Sequence, residues 1–247
     1  MKFFSECEPC LIGIEACSSA HYWARTLNKL GHTVKLIAPQ KVKPYVTGHK
    51  NDMRDAEAIC EAVSRPHMTF VEVKSEEQQA RLVVHKIRQQ QIKERTALIN
   101  AIRGLLSEFG YHTKRGLSQV RPLIASVLEP EIDVPWVLKQ ALEVQKLMLD
   151  NLDEAIDKLT KIIASHADSD YRVKQLQAIE GIGPITASAL VSTLGNGSQY
   201  KFGREFAANL GLVPNQHSSG GKTRLGSIIK RGDSYLRTFW FIVLELF

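Results

Sequence analysis

Apolar residues follow three different rhythms along this chain. From residue 11 to residue 73 they come in short runs, "LIGIEA" (11–16), "TVKLI" (33–37) and "TFVEV" (69–73). Each run is rich in isoleucine, valine or threonine and too short for a helix, so each predicts a buried strand. Between the first two runs, "SSAHYWARTLNKLG" offers a serine N-cap, sets Trp23, Leu27 and Leu30 on one helical face, and supplies Gly31 as a stop. "DMRDAEAICEAV" (52–63) is a second helix. Strands alternating with helices predict an α/β region with a parallel sheet and helices packed on it.

From Ser75 the rhythm lengthens. Residues 76–109 hold no proline and stop at Gly110 after Ile99, Ile102, Leu105 and Phe109, which predicts one long helix. Beyond Pro122, Pro130 and Pro135, a second long helix places Leu138, Leu142, Gln145, Leu149, Leu152, Ile156, Leu159 and Ile163 at alternating steps of four and three. Such a seam fits a coiled coil, either a hairpin joining two domains or an arm for dimerisation.

The last third reads as all-α. "LQAIEGIGPITASALVSTLG" (176–195) is helix, glycine turn and helix, with Pro184 in a first turn and Gly195 past the end. A short helix near "KFGREFAANLG", a polar loop "VPNQHSSGGKTRLGSIIKRG" and an apolar helix from Asp233 complete it.

Charge separates this third from the rest. Of the net +6, residues 172–247 carry 9 Lys+Arg against 4 Asp+Glu, whereas residues 1–171 carry 23 against 22. A basic excess gathered at one end favours a polyanionic partner. No apolar stretch of about 18 residues is present, and acids occupy the N-terminus where a signal peptide is apolar, so a cytoplasmic protein without membrane attachment is expected. Cys7, Cys10, Cys17 and Cys60 include one C-x-x-C without a second pair, and read as reduced structural thiols.

Three places carry candidate chemistry. In "HKNDMRDAEAI", Asp52 and Asp55 lie three apart on one helix face, where they could bind a divalent ion or merely open the helix as first-turn acids. Glu15, at the end of the first strand, could converge with them for metal-assisted phosphodiester chemistry, or be an ordinary helix-entry residue. In "GIGP", Gly181 and Gly183 let backbone amides approach a phosphate at a helix start, as in a helix-hairpin-helix motif, or form a tight turn with no ligand. In "HSSGGKTR", serines precede two glycines and the cations Lys222 and Arg224, so a serine held there could attack a phosphodiester, although a solvated loop has the same composition.

"GIEACSSAHYWARTLNKLGHTVKLIAPQKVKPYVTGHKNDMRDAEAICEA", "IEGIGPITASALV" and "GLVPNQHSSGGKTRLGSIIKRGDSYLRT" resemble, in that order, the DEDD transposases of bacterial insertion sequences, specifically the insertion sequence 110 family and its IS1111-type group. The resemblance spans nearly the whole chain. It implies a RuvC-like, RNase H-type catalytic domain over residues 1–74, a coiled-coil region over 75–170, and a C-terminal transposase domain over 171–247. It further implies acids that bind Mg²⁺, a serine nucleophile in strand exchange, DNA ends and targets as partners, a possible guide RNA, a homo-oligomer and a nucleoid-associated location. By matching motifs, Glu15, Asp52 and Asp55 correspond to the family's metal-binding acids and Ser219 to its serine, with Ser218 the neighbouring alternative. Lys222, Arg224, Lys230 and Arg231 are expected phosphate contacts from charge and position.

The family's first acid lies upstream of the glutamate matched by Glu15, and only fourteen residues precede Glu15 here, none an aspartate. Fourteen residues are too few for a three-stranded meander. The apolar end "FWFIVLELF" is equally abrupt. The expectation is therefore a chain truncated at both ends, with an incomplete parallel sheet and an impaired recombinase activity, the alternative being an inactive remnant that binds nucleic acid.

Overall fold

In the computed structural model, which describes residues 2–48, 51–195 and 197–244, the chain forms two compact units, one of residues 1–79 with 190–247 and the other of residues 80–189. In the first unit, α1 (Lys2–Glu6) leads into β1 (Leu11–Glu15), α2 (Ala20–Lys29) and β2 (Thr33–Ile37). The strands pair in parallel from Leu11↔Thr33 to Glu15↔Ile37, as the alternating pattern predicts. α2 ends in two overlapping bonds, Gly31 N–H to Asn28 O and His32 N–H to Leu27 O, the glycine stop expected there. Two local details differ from expectation. Ser19 has a left-handed backbone and its side chain makes no cap bond. The buried stripe of α2 is Ala20, Ala24 and Leu27, while Trp23 and Leu30 are exposed, because small residues allow the helix to lie close on the strands.

α3 (Pro39–Val42) and α4 (Asp52–Val63) follow. Lys50, two residues before Asp52, lies outside the described residues. α4 packs Ala58 and Ala62 with Ile37 and Val42 into a small core. The third strand expected at 69–73 does not join the parallel sheet. Val71 makes a single antiparallel bridge with Leu36 instead, its amide donating to Leu36 O at 2.7 Å, even though α3 and α4 lie between the two segments.

Two long helices dominate the second unit, α5 (Glu76–Ser107), which continues through Gly104, and α7 (Trp136–Ser169), with α6 (Val120–Leu128) between them. In α7 the buried positions Leu142, Leu149, Ile156 and Ile163 recur every seven residues. Arg95 pairs with Asp153 at 2.8 Å and Arg88 donates to Thr160 at 2.7 Å, so α5 and α7 of one chain run antiparallel. Ile102 and Leu106 of α5 cluster with Val120, Ile124 and Val127 of α6 and Leu142 and Leu149 of α7. Each such burial contributes about 1.5–3 kcal/mol. Arg121 of α6 ties both Asp150 and Asp153 of α7.

α7 gives way to α8 (Tyr171–Gln177) at Asp170, which is buried. Its carboxylate accepts from the Arg172 amide at 3.0 Å, capping α8, and pairs with Arg81 at 2.9 Å and Arg172 at 2.8 Å. These hydrogen bonds, those of Arg172 first, hold the Asp170 carboxyl far below the usual range despite its burial. Asp170→Ala removes the cap and leaves a buried guanidinium short of its partner, so a loss of about 3 kcal/mol is expected in urea unfolding. Asp170→Asn, which keeps a capping oxygen, is expected to lose less.

His85, buried in the same unit, shares a hydrogen bond with Ser188 at 3.1 Å. Burial, aided by the nearby Arg88, lowers its pKa from 6.5 to about 4. The fold thus holds the neutral ring, while the unfolded chain takes up a proton below about 6.5. Its stabilisation is present above that pH and declines as pH falls toward about 4, by up to roughly 1.4 kcal/mol per pH unit. Urea titrations at pH 7 and pH 5 should show a smaller loss for His85→Gln than for the natural chain.

α9 (Pro184–Leu194) starts with the expected proline, and α10 (Gly203–Asn209) follows. The remaining segment is not the irregular loop of an all-α domain. Residues 214–228 form an antiparallel hairpin, β3 (Pro214–Gln216) and β4 (Leu225–Ile228), before α11 (Ser234–Leu244). The end of the apolar stretch, residues 245–247, lies outside the described residues.

Candidate functional site

Glu15 closes β1 two residues beyond Gly13, so both face the same side of the strand pair. A Cβ on Gly13 would lie 2.9 Å from Ile59 and 3.1 Å from Val63, which identifies that side as the one α4 covers and explains why glycine stands there. Asp55 precedes Ile59 by one turn on the same helix face, and Asp52 precedes Asp55 by three residues. The structure therefore turns Glu15 and Asp55, both half-buried, and the exposed Asp52 toward a shared layer.

The aspartates are not the cap of α4. Asn51 fills that role, its side chain accepting from the Arg54 amide at 2.8 Å. None of the three carboxylates has a hydrogen bond or ion pair among the described residues. Among those residues no three His, Cys, Asp or Glu side chains are placed to hold one metal ion, so the acids share a layer without closing on a common point. An all-carboxylate donor set nevertheless suits a hard divalent cation.

The serine segment is the tip of the β3–β4 hairpin. Gly220 and Gly221 both have positive φ, 55° and 76°, and the Lys222 amide donates to Ser219 O at 3.1 Å. This is the primed two-residue turn that matches strand twist, and two glycines meet its demand without strain. The His217 amide donates to Arg224 O at 2.9 Å, continuing the ladder below the turn. Ser219 and Lys222 thus flank the turn on opposite strands, both exposed, with Arg224 two residues beyond. Ser218 Oγ accepts from Gln216 at 2.9 Å, whereas the Ser219 hydroxyl is uncommitted among the described residues.

Lys230 and Arg231 lie elsewhere, at the hairpin base. Lys230 has a left-handed backbone, φ 52°, and its amide donates to Gly211 O at 3.1 Å. Gly181 and Gly183 belong to the turn before α9, Gly181 with φ 80°, where the Ile182 amide donates to Ile179 O.

The structure adds residues that periodicity and motif spacing leave unmarked. A cavity of about 360 Å³ in the first unit begins beside Ala16 and Ala38, just past the ends of β1 and β2. A neighbouring cavity of about 320 Å³ shares Gln40, Lys41, Thr69, Gln199, Tyr200 and Asn209 with it and reaches Arg231. Burial lowers the Lys41 pKa, partly offset by Glu205, and burial raises that of Tyr200, partly offset by its bond with Gln199. Lys41 belongs to the cations Lys41, Lys43 and Lys50 that precede Asp52, and no motif or periodicity marks Tyr200.

No helix among the described residues is long and apolar enough to cross a membrane. Residues 2–110 match the DEDD_Tnp_IS110 family, described as a transposase, and residues 173–244 match the Transposase IS116/IS110/IS902 family. A probable family 20 transposase of Pseudomonas aeruginosa is 52% identical over 238 residues, covering 96% of this chain and 70% of that protein. The transposase for insertion sequence element IS1328 of Yersinia enterocolitica is 43% identical over 236 residues, with 96% and 70% covered. The transposase for IS1111A of Coxiella burnetii is 41% identical over 226 residues, covering 91% of this chain and 62% of its own length. With both ends of the chain matched and about half of its residues identical in one such relative, this protein belongs to the IS110/IS116/IS902 family of transposases, on the side of its IS1111-type members.

Proposed function

We propose that the chain acts as a DNA transposase of a bacterial insertion sequence, cutting and rejoining DNA through a serine nucleophile at Ser219. The observation that carries this reading is the hairpin tip, where an uncommitted, exposed serine hydroxyl and Lys222 flank one tight turn. Ser219 Oγ attacks a phosphodiester. The new Oγ–P bond forms as the P–O bond to the departing deoxyribose oxygen breaks, and that oxygen gains a proton while the serine gives one up. Lys222 and Arg224 pair with the phosphate, and the extended ladder beneath the turn fixes their spacing. Lys230 and Arg231 extend the basic track along the backbone, and the Gly181–Gly183 turn binds a backbone phosphate in helix-hairpin-helix fashion.

Glu15 and Asp55, with Asp52 at the exposed edge, would hold a divalent cation, Mg²⁺ in this reading. Such a cation supplies neutralisation of charge developing on phosphate oxygens. The DEDD domain match supports divalent metal use in general. Homo-oligomeric assembly, selection of DNA by a guide RNA, and a cytoplasmic, nucleoid-associated location belong to the same reading.

A second reading, a nucleic-acid-binding remnant, is favoured by one observation, that the three acids do not close on one point among the described residues. The test is to incubate the purified chain with duplex DNA carrying an element end, with its flanking RNA, in Mg²⁺ and in EDTA. A denaturation-resistant protein–DNA adduct is the expected result. Retarded DNA with no adduct under any condition would replace the first reading with the second.

A further inference from the structure

The two adjoining cavities form one groove, running from the ends of β1 and β2 to the base of the serine hairpin. Their volumes, about 360 and 320 Å³, lie in the range of pockets that enclose one small organic ligand, far below what a duplex needs. The lining is graded. At the shared waist stand Tyr200, whose ring meets that of Phe206 at 5.5 Å between centroids, and Lys41, whose Nζ has Thr69 O at 3.5 Å. Arg231 lies at the hairpin end, and Glu205, which lines the same cavity and acts electrostatically on Lys41, already accepts from the Lys201 amide at 2.8 Å. Phe70 and Glu72 line the other end. Glu72 has no hydrogen bond or ion pair among the described residues, so a partner there would be a donor and not a phosphate.

A seam that only joined two layers would be apolar and filled. This one presents an aromatic ring, a half-desolvated cation and an unanswered acceptor in sequence, the complement of a stacked base with its phosphate on one side and its amino group on the other. We propose that the groove holds a single unpaired nucleotide of the DNA strand, the base against Tyr200 and its phosphate at Lys41 and Arg231. The inference rests on the DNA-processing reading above and adds to it that strand separation, or extrusion of one nucleotide, accompanies binding.

The test uses the full chain and a single-stranded trideoxynucleotide with 2-aminopurine at its centre, whose fluorescence falls when the base stacks. Saturable quenching is expected. Tyr200→Ala should weaken it at least about fivefold, Tyr200→Phe should retain it, and Lys41→Ala should weaken it and lower the salt slope by about one. Lys158→Ala, an exposed lysine of α7, controls for charge alone and should bind as the natural chain does. Tyr200→Ala or Lys41→Ala binding as tightly as the natural chain overturns the proposal, and so does an absence of quenching when duplex DNA is still retarded. That second outcome leaves the serine mechanism standing. Quenching in a chain that never forms an adduct would instead keep the groove and remove the nucleophile.

Discussion

Ser219→Ala is expected to abolish the covalent protein–DNA adduct and to reduce strand joining on the order of 10³-fold or more, since no neighbouring group replaces a lost nucleophile. The effect should be chemical and not structural. Ser219 is exposed and its hydroxyl makes no bond among the described residues, so the change in stability should stay within about 0.5 kcal/mol. Ser218→Ala is the matched control. It removes a hydroxyl already engaged by Gln216 and should leave the adduct in place. Glu15→Gln and Asp55→Asn should slow adduct formation without changing duplex affinity. Quantifying adduct on denaturing gels, with unfolding curves for each variant, separates these outcomes. If Ser219→Ala still cuts DNA at the natural rate, the enzyme uses water and its acids alone.

Gly211→Ala is expected to cost more than about 4 kcal/mol and to unseat the hairpin that carries Ser219. Gly211 ends α10 with φ 73°, and the Leu212 amide donates back to Ala207 O at 2.9 Å. An added Cβ would lie 2.1 Å from Arg231 O and 2.5 Å from Arg231 N. Those atoms are backbone, and the Lys230 amide bonded to Gly211 O keeps the two segments from separating. Gly197→Ala is the informative comparison. It has nearly the same φ, 72°, but nothing within 4 Å of an added Cβ, so it should cost only the left-handed penalty of about 1–2 kcal/mol. Hydrogen exchange should show protection lost across residues 212–231 in Gly211→Ala and kept in Gly197→Ala, with adduct formation following the same order.

The elements that the sequence reveals are those governed by local rules. The parallel pair β1–β2, the two long helices and the proline at the start of α9 each follow from periodicity or from a stop and start signal within a few residues. The serine hairpin carried such a signal too, in Gly220–Gly221. Its flanks "NQHSS" and "KTRLGS" lack alternating apolar residues, so the strands gave no pattern to match the turn. The buried face of α2 departs from its periodic stripe for a related reason. A periodic stripe locates a face only to within a residue or two, and Ala20 and Ala24 displaced Trp23 by fitting closer to the strands.

By itself the sequence determined the helix and strand rhythm, the family, and the residue types available for chemistry, because each is written in local order and spacing. Tertiary structure decided that residues 69–73 meet β2 by one antiparallel bridge, that Asn51 and not an aspartate caps α4, and that Gly13 admits α4 over the face bearing Glu15. It also decided that Lys41, Tyr200 and Arg231, nearly two hundred residues apart at the extremes, line one groove. Those outcomes depend on which surfaces exclude water together, and contacts between distant segments leave no period in the chain.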